Sequence, residues 1–194
     1  MAKLNIRIHE ASDPYMDAMD AELDELVRLG KEDIKAFNPK TARIGRQTWM
    51  QENLAIDDGG EGITYNPDNG QYYYTWGAAL RIAKSIPGWH LPSAEEWNAA
   101  AEACGAKVMS NRWGMAGPRM RDYEGTEKLY DKLGVLPVGA YYSRLHDAGV
   151  SAYFWSATDF NSFGAFSTYF DSNDIAQHDT ENKKSRLSVR LVKD

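Results

Sequence analysis

The sequence predicts one α+β domain that follows an N-terminal helical extension. Two segments of about ten residues each begin with a helix-capping residue, Thr75 or Ser93, and lie close together along the chain. Short strand-like segments punctuated by glycine follow them, and this order of elements is typical of an α+β domain. The chain has 194 residues, of which 43% are hydrophobic, which is enough for one sizeable core.

The extension begins with an alternating pattern and continues as a helix. Residues 1–10 alternate between apolar and polar types, which predicts a short strand. Asp13 is a good N-cap and Pro14 suits the first helical position. Apolar residues then recur every three or four positions up to Gly30. We therefore predict a helix over 11–30 that has Gly30 as its C-cap.

This helix is followed by a boundary. Its carboxylates predict a solvent-facing acidic side, although a docking surface for a partner is the alternative. A polar segment comes next, and Asn38-Pro39 marks a turn. We therefore assign 1–40 to the extension and 41–194 to the main domain.

The main domain opens with a strand predicted over 46–54, which contains Trp49. A glycine-rich acidic loop, 57–62, follows the strand. A loop that cradles phosphate needs free backbone N–H groups and a cation, whereas this loop carries three carboxylates and no lysine. We interpret it as a turn.

Both predicted helices of the domain have defined ends. Thr75 caps the first helix, and Pro87 stops it. Ser93 and Glu96 form a capping box at the start of the second helix, which Gly105 ends. The predicted apolar face of the first helix consists of Trp76, Ala79, Leu80 and Ala83. The predicted apolar stripe of the second consists of Trp97, Ala100, Ala101 and Cys104.

From residue 107 onward the pattern predicts loops and short strands. The segment 111–118 is a turn-rich loop, 136–142 is a strand, and Phe154-Trp155 opens another strand. Residues 171–186 are polar apart from Ile175, which is the one candidate for an inward anchor. We expect a hairpin and loops at the surface there.

Alternation in the last two strands predicts which side chains face the core. In the first of them, one face consists of Phe166, Thr168 and Phe170. The other face consists of Ser167 and Tyr169. In the last strand, the residues predicted to face inward are Leu187, Val189 and Leu191. Those predicted to face outward are Ser188 and Arg190.

Charge and hydropathy exclude several classes of function. The net charge of −6 and the sequence pI of about 5.3 disfavour a nucleic-acid partner, because a phosphate backbone would be repelled. No run approaches the roughly 18 apolar residues of a membrane-spanning helix. The N-terminus lacks the apolar core of a secretory signal. We therefore expect no membrane insertion and a cytoplasmic or virion-associated location.

The single cysteine is expected to be buried, whereas some of the many aromatic residues are expected to be exposed. Cys104 is the single cysteine, so an internal disulfide is excluded, and its neighbours favour a small buried filler over a reactive thiol. Aromatic residues make up 12% of the chain, which exceeds what a core of this size needs. Some of them should therefore lie on a surface.

Five motifs, in order and spacing, resemble the Fibrobacter succinogenes major paralogous domain. The motifs are Trp49-Met50-Gln51-Glu52-Asn53-Leu54, Gly88-Trp89-His90-Leu91-Pro92-Ser93 with Glu96-Trp97, Leu136-Pro137-Val138-Gly139, Tyr153-Phe154-Trp155-Ser156-Ala157-Thr158 and Ser188-Val189-Arg190-Leu191-Val192-Lys193-Asp194. The resemblance covers about 43–194. It implies a C-type lectin-like fold, in which two helices and a twisted antiparallel sheet support long irregular loops that carry the binding surface.

This fold is also similar to that of the variable proteins of diversity-generating retroelements, whose last stretch is mutagenised at adenine-rich codons. The segment 159–182 is built almost wholly from residue types that such mutagenesis of asparagine codons yields. An ordinary polar loop has the same composition, so diversification and an undiversified family member both stay open. The Glu-Pro-Asn, Gln-Pro-Asp and Trp-Asn-Asp motifs of calcium-dependent lectins do not occur, and Asn66-Pro67-Asp68 stands alone. Calcium-dependent sugar binding is therefore disfavoured.

The sequence gives little support for a catalytic or metal-binding site. The run that starts at Asp171 begins like a calcium loop, but Ile175 stands where a polar ligand is needed. Asp179 and Glu181 lack apolar surroundings that would separate their pKa values, and we expect solvated loop carboxylates. For His90 we favour hydrogen bonds to backbone groups in the core over catalysis.

Two further enzyme readings also fail. His146-Asp147 with Ser143 resembles a triad in composition only, because no nucleophile elbow accompanies these residues. Formylglycine-generating enzymes share the fold class, but their chemistry needs cysteine or copper that Cys104 alone does not supply. We expect no enzymatic activity, no cofactor and no metal.

Binding is the better-supported reading of the C-terminal segment. Tyrosine offers a large contact area with few rotors to freeze, and Ser or Asn adjusts hydrogen bonds to a partner. The predicted contact patch consists of Asp159, Phe160, Asn161, Ser162, Phe163, Ser167 and Tyr169. Its predicted rim consists of His178, Asp179, Thr180 and Asn182. Core burial is the alternative for each phenylalanine.

These observations predict a non-catalytic protein that binds a protein or cell-surface ligand, such as a phage or viral receptor-binding protein. The helix over 11–30 would pack on the domain or assemble copies into a homo-oligomer. The main alternative is a structural or assembly module of the same fold without selective ligand recognition. A metal-dependent lectin or an enzyme ranks below both.

Overall fold

The computed structural model describes residues 14–106, 108–109, 119–120, 123–171 and 177–194. The strand predicted over 1–10, the loop predicted over 111–118 and the anchor predicted at Ile175 lie outside these ranges. Within them the protein is a mixed α+β structure with four helices and several small antiparallel sheets. The predicted α+β class is confirmed.

The four helices of the described chain differ in how well the sequence predicts them. Their bounds are α1 (Pro14–Lys35), α2 (Trp76–Ser85), α3 (Ala94–Ala103) and α4 (Tyr123–Leu133). The predicted starts of α2 and α3 are confirmed, because Thr75 accepts from the backbone N–H of Ala78 and Ser93 forms a complete capping box with Glu96. Helix α4 was not predicted, since loops and strands were expected after residue 107.

The predicted apolar face of α2 is confirmed in part, because all four of its residues pack in or against the core. Trp76 and Leu80 are only half-buried, whereas Ala78, Ala79, Ile82 and Ala83 are buried. The stripe predicted for α3 is confirmed, and Cys104 beside it is a free, buried thiol, as expected.

Helix α1 continues five residues beyond its predicted end at Gly30. Gly30 lies inside the helix and is buried, so it does not act as a C-cap. A Cβ atom at Gly30 would lie 2.3 Å from the carbonyl oxygen of Asp57, so the glycine allows close contact between α1 and the loop after β2. Ile34 and Phe37 pack on the hydrophobic core around α2, and the Phe37 ring meets Trp89 edge to face at 5.6 Å. The end of α1 and the segment after it are therefore packed against that core.

The strands form two larger sheets and two hairpins. Strands β1 (Thr41–Ile44), β2 (Gln47–Met50), β13 (Val192–Lys193) and β5 (Trp89–His90) make one sheet in that order. The second sheet has the order β10 (Ser151–Asp159), β11 (Gly164–Asp171), β12 (Gln177–Asn182), β7 (Arg119–Met120) and β6 (Val108–Met109). The hairpins pair β3 (Ile63–Asn66) with β4 (Gln71–Tyr74), and β8 (Ala140–Tyr141) with β9 (Leu145–His146).

Two strand predictions were too long. Within the range predicted as a strand over 46–54, only the residues of β2 form one. Within the range predicted over 136–142, only the residues of β8 do. The strand predicted at Phe154-Trp155 is confirmed as part of β10.

The core lies on both sides of the central strands. A first core cluster lies against α3 and α4 and includes Trp97, Leu129 and Phe170. A second core cluster lies against α2 and includes Ile82 and Val189. A strand between two clusters buries both of its faces.

This arrangement corrects the predicted outward positions. Ser188 and Arg190 were expected to face solvent, yet they are 0% and 1% exposed. Ser167, predicted to lie in the contact patch, is also fully buried, as is its neighbour Thr168. In β11 the second face of the strand meets another layer of protein and not water. The last strand was predicted over 187–191, but β13 covers only Val192–Lys193, and residues 186–188 form isolated bridges.

In the part of the chain that the structure describes, no helix combines the length and apolar character needed to cross a bilayer.

Candidate binding surface at the β10–β11 hairpin

The turn between β10 and β11 and the strand ends Asp159 and Gly164 form a compact loop, 159–164, that we call the tip. The Asn161 side-chain oxygen accepts hydrogen bonds from the backbone N–H groups of Phe163 at 2.8 Å and Gly164 at 2.9 Å. The carbonyl of Gly164 accepts in turn from the N–H groups of Phe160 and Asn161. An asparagine that satisfies the turn's own backbone in this way stabilises one loop conformation.

Lys183, which follows β12, ties the tip to the body of the domain. Its Nζ donates to the carbonyl of Asn161 at 2.8 Å and pairs with Asp159 at 2.7 Å. The same ammonium lies 4.4 Å from the centroid of the Trp76 ring, a cation–π geometry. The Lys183 side chain is only 21% exposed, so these contacts are partly shielded from water. Lys183 therefore fixes the position of the tip relative to α2.

The tip carries two exposed phenylalanines. Phe163 is 77% exposed and Phe160 is 49% exposed. The Phe160 ring packs edge to face against Phe166 at 5.5 Å, so one side of it is supported and the other is open. Large apolar side chains held outward on an ordered turn lose little conformational entropy when a partner covers them.

A second aromatic group lies farther along the β10–β11 hairpin from its turn and includes Tyr142, which follows β8. The rings of Tyr153 and Tyr169 stack at 5.6 Å, as their cross-strand register requires. The Tyr153 hydroxyl donates to Asp147 at 2.8 Å, and the Tyr142 hydroxyl donates to Glu181 at 3.2 Å. Burial, with the nearby carboxylates, raises the pKa of both Tyr142 and Tyr153, so both phenols stay protonated at neutral pH. We call Tyr142, Tyr153 and Tyr169 the tyrosine strip.

The structure gathers most of the predicted contact residues around the tip. Five are exposed on the tip itself, namely Asp159, Phe160, Asn161, Ser162 and Phe163. Asn182 is exposed opposite Gly164, whereas Tyr169 and Thr180 are half-buried. Ser167 is buried and does not belong to the surface. The side chains of His178 and Asp179 lie outside the described residues.

Sequence reasoning missed Lys183, Trp76 and Tyr153 as parts of this surface. Trp76 was expected in the face of a helix, and Lys183 and Tyr153 had no signal of their own. Only the pairing of Gly164 with Asn182 brings Lys183 to the tip. The sequence carries no signal for that register, so Lys183 could not be selected from it.

His90 has a different environment from the predicted one. Its Nδ1 lies 2.6 Å from Asp194 and its Nε2 lies 2.8 Å from Glu96, so it contacts two carboxylates and not backbone groups. Burial by itself would lower the pKa of His90, but the hydrogen bonds to Glu96 and Asp194 outweigh it and the pKa is raised. Glu96 also accepts from Gln47 and closes the capping box of α3, so this cluster connects structural elements.

Other catalytic candidates are engaged or dispersed. Asp147 accepts from Tyr153, and Glu181 accepts from Tyr142. Within the described ranges, no group of three or more His, Cys, Asp or Glu side chains lies close enough to hold a metal ion.

Comparison with known proteins places the chain in a family. Residues 42–193 match the Fibrobacter succinogenes major domain. The chain belongs to this family, as the five sequence motifs predicted. No curated protein and no solved structure gives a significant match.

Proposed function

We propose that this protein is a non-catalytic binding protein whose tip and tyrosine strip contact a protein or cell-surface ligand. The observation that carries the proposal is the exposure of Phe160 and Phe163 on a turn that Asn161 and Lys183 hold in place. Binding energy in protein interfaces concentrates in a few aromatic anchors surrounded by polar groups. The tip has this composition, with Asp159, Asn161 and Ser162 around the two rings.

The finer parts of the proposal concern the scaffold and its variability. A C-type lectin-like scaffold is supported by the family resemblance and by the two capped helices beside an antiparallel sheet. Diversification of 159–182 is supported by composition alone. A near-identical template repeat beside a reverse-transcriptase gene, differing only at adenines, would support it, and the absence of such a repeat would remove that part.

The test of binding compares variants of the tip with a matched variant elsewhere. Labelled protein is applied to arrays of purified cell-surface proteins and to intact cells, and the affinity of each captured pair is measured. Phe163→Ala, alone and with Phe160→Ala, should weaken binding by about 2 kcal/mol or more, roughly 30-fold. Leu29→Ala on α1 removes an apolar side chain that is 43% exposed and should have no effect.

Lys183→Met tests whether the position of the tip matters. The substitution keeps an apolar stem beside Trp76 but removes the bonds to Asn161 and Asp159. Binding should weaken although both phenylalanines are still present. Equal binding by wild type and all tip variants would contradict the proposal. Loss of self-association on the same substitutions, with no captured ligand, would favour the assembly module instead.

A further inference from the structure

A cavity of about 250 Å³ lies apart from the tip, between the loop after β2, the β3–β4 hairpin and the end of α4. Its lining includes residues 51–55, Gly70 to Tyr72, Gly134, Leu136 and Arg190. The volume is below the range of drug-sized pockets and suits one ring or a short chain. The cavity has a polar floor and an apolar wall.

Arg190 forms the floor and is an unusual buried cation. Its guanidinium donates to the carbonyls of Met50, Leu133 and Gly134, and its Nε donates to the Asn53 side chain at 2.9 Å. No carboxylate pairs with it among the described residues. Its positive charge is therefore stabilised by carbonyl and amide dipoles, by the Phe154 ring, whose centroid lies 5.4 Å from the Arg190 Cζ, and by the charge of Glu52.

Because arginine can only donate hydrogen bonds, it fixes the orientation of the side-chain amides of Asn53 and Gln71. A guanidinium can only donate, so the Asn53 atom that faces Arg190 is the oxygen, and the Asn53 nitrogen is the donor. That nitrogen lies 2.9 Å from the Gln71 side chain, so the Gln71 atom that faces it is also the oxygen. The Gln71 Nε2 is then left with two N–H donors.

These donors have no acceptor among the described residues, and Gln71 lines the cavity. Two amide dipoles aligned head to tail from a buried cation polarise one another and make the last N–H group a stronger donor. The cavity therefore favours a ligand atom that accepts hydrogen bonds and carries negative charge.

The wall and rim supply apolar contact. Tyr72 lines the cavity and packs against Tyr65 with ring centroids 4.8 Å apart, and Tyr65 is 50% exposed. Leu136, also in the lining, is 55% exposed. Glu52 brings one negative charge to the cavity, but Lys40 pairs with it at 3.1 Å. An apolar body attached to the acceptor group would cover these rings and the leucine.

We propose that this cavity binds a small carboxylate with an apolar body, with the carboxylate at Gln71 and the body against Tyr72 and Leu136. The ligand is a free organic acid or the C-terminal carboxylate of a peptide, since both present the same chemistry. The proposal does not depend on the function of the tip.

The test measures the binding of acids and their uncharged amides to the full chain by NMR and calorimetry. The probes are sodium hexanoate and benzoate, matched with hexanamide and benzamide, each up to about 10 mM, a range that detects dissociation constants near 1 mM. We expect saturable shifts of the Gln71 and Asn53 side-chain amide signals with an acid, and about tenfold or greater weakening with its amide. N-acetyl-leucyl-leucine and its amide form the peptide arm. Saturation by the simple acids identifies a free acid, and saturation by the peptide acid alone identifies a C-terminus.

Two substitutions that place a negative charge at the cavity test the location. Gln71→Glu is isosteric and replaces the donor with an acceptor, and Leu136→Asp changes an exposed side chain. Each should weaken acid binding about tenfold or more while circular dichroism shows the fold unchanged. Ser162→Asp adds the same charge on the tip and should leave acid binding unchanged. Equal binding of acid and amide, absence of saturation by every acid, or unaltered binding by both cavity variants would overturn the proposal.

Discussion

At Arg190, one side chain connects its own C-terminal segment to two parts of the chain that are far away in sequence. It contacts the end of β2 and the loop after it through Met50 and Asn53, and the end of α4 through Leu133 and Gly134. The carbonyls at the end of α4 carry the negative end of the helix dipole, which favours a cation there. Burial lowers the pKa of Arg190, but a guanidinium stays protonated at neutral pH.

Arg190→Lys should therefore lower the free energy of unfolding by about 3 kcal/mol. Lysine keeps the charge but cannot reach four acceptors in different directions, so buried carbonyls lose their donors. Urea unfolding measures the loss. Arg43→Lys is the matched control, because Arg43 is exposed and its side chain donates to the carbonyl of Gly45, two residues away. It should change stability by less than about 0.5 kcal/mol. A loss at Arg190 as small as that of the control would show that the hydrogen bonds are dispensable.

His90 gives a prediction about pH at the same scale. Its folded-state pKa is raised, so protonation favours the folded state. The stabilisation is fully present below the unfolded pKa of about 6.5 and is lost as pH rises through the folded pKa. The difference in Tm between wild type and His90→Gln should therefore be larger at about pH 5.5 than at about pH 9.

His146→Gln serves as the control for this pH series. The His146 ring packs against an aromatic side chain, Tyr142, with centroids 5.4 Å apart, whereas the His90 ring contacts two carboxylates. Thermal unfolding monitored by circular dichroism is sufficient for both variants. A difference for His90 that is constant with pH, or that grows in alkali, would mean that Glu96 and Asp194 do not hold the ring in its charged form.

At the scale of the elements, alanine substitution of a helical glycine is predicted to have opposite effects on stability in α1 and α2. Gly30 in α1 lies against Asp57, and a Cβ there would be 2.3 Å from a backbone oxygen. Gly77 in α2 has no atom within 4 Å of the same position. Alanine favours a helix over glycine by about 1 kcal/mol, but overpacking costs about 1–3 kcal/mol.

Gly77→Ala should accordingly stabilise the protein by about 0.5–1 kcal/mol, and Gly30→Ala should destabilise the docked state of α1. Amide hydrogen exchange over 14–35 reports the docking, and urea unfolding reports the global stability. Slower exchange in α1 of the Gly30 variant would contradict the contact with Asp57. A destabilised Gly77 variant would contradict the open space at Gly77.

Local signals explain which helices the sequence could predict. Ser93 and Glu96 identify α3 because a capping box depends only on residues three apart. Helix α4 has no comparable start signal, and Gly125 near its beginning reads as a helix breaker. The structure shows why glycine is there, since a Cβ on Gly125 would lie 2.1 Å from the backbone nitrogen of Ala106. A requirement set by tertiary contact cannot be read from local sequence.

At the scale of the whole molecule, the exposed surface could also be predicted only in part, because it depends on tertiary contacts. Phe160 and Phe163 were predicted to be contact residues from residue type, with core burial as the alternative for each, and the structure exposes both of them on a turn that was not predicted. The burial of Ser167 and Ser188 was not predictable, because period-2 alternation does not tell whether the second face of a strand meets water or another layer. The place of Lys183 beside the tip depends on the β11–β12 register, which the sequence does not specify.

The two core clusters share their strands, and this sharing predicts how the protein unfolds. Neighbouring residues of β10 belong to different clusters, with Phe154 in the first and Trp155 in the second. Trp49 and Met50 in β2 alternate in the same way. Because one strand cannot leave one cluster and stay in the other, loss of either cluster should remove both.

Leu129→Ala in α4 and Ile82→Ala in α2 each remove a fully buried side chain from a different cluster, and each should cost about 2–5 kcal/mol. Urea unfolding followed by tryptophan fluorescence and by far-ultraviolet circular dichroism should give coincident transitions in both variants, shifted to lower urea by similar amounts. Val150→Ala, at a side chain that is 52% exposed, should move neither transition by more than the equivalent of about 0.5 kcal/mol. Two separated transitions in either core variant would show that the clusters unfold independently, and the shared strands would then not account for the cooperativity of the fold.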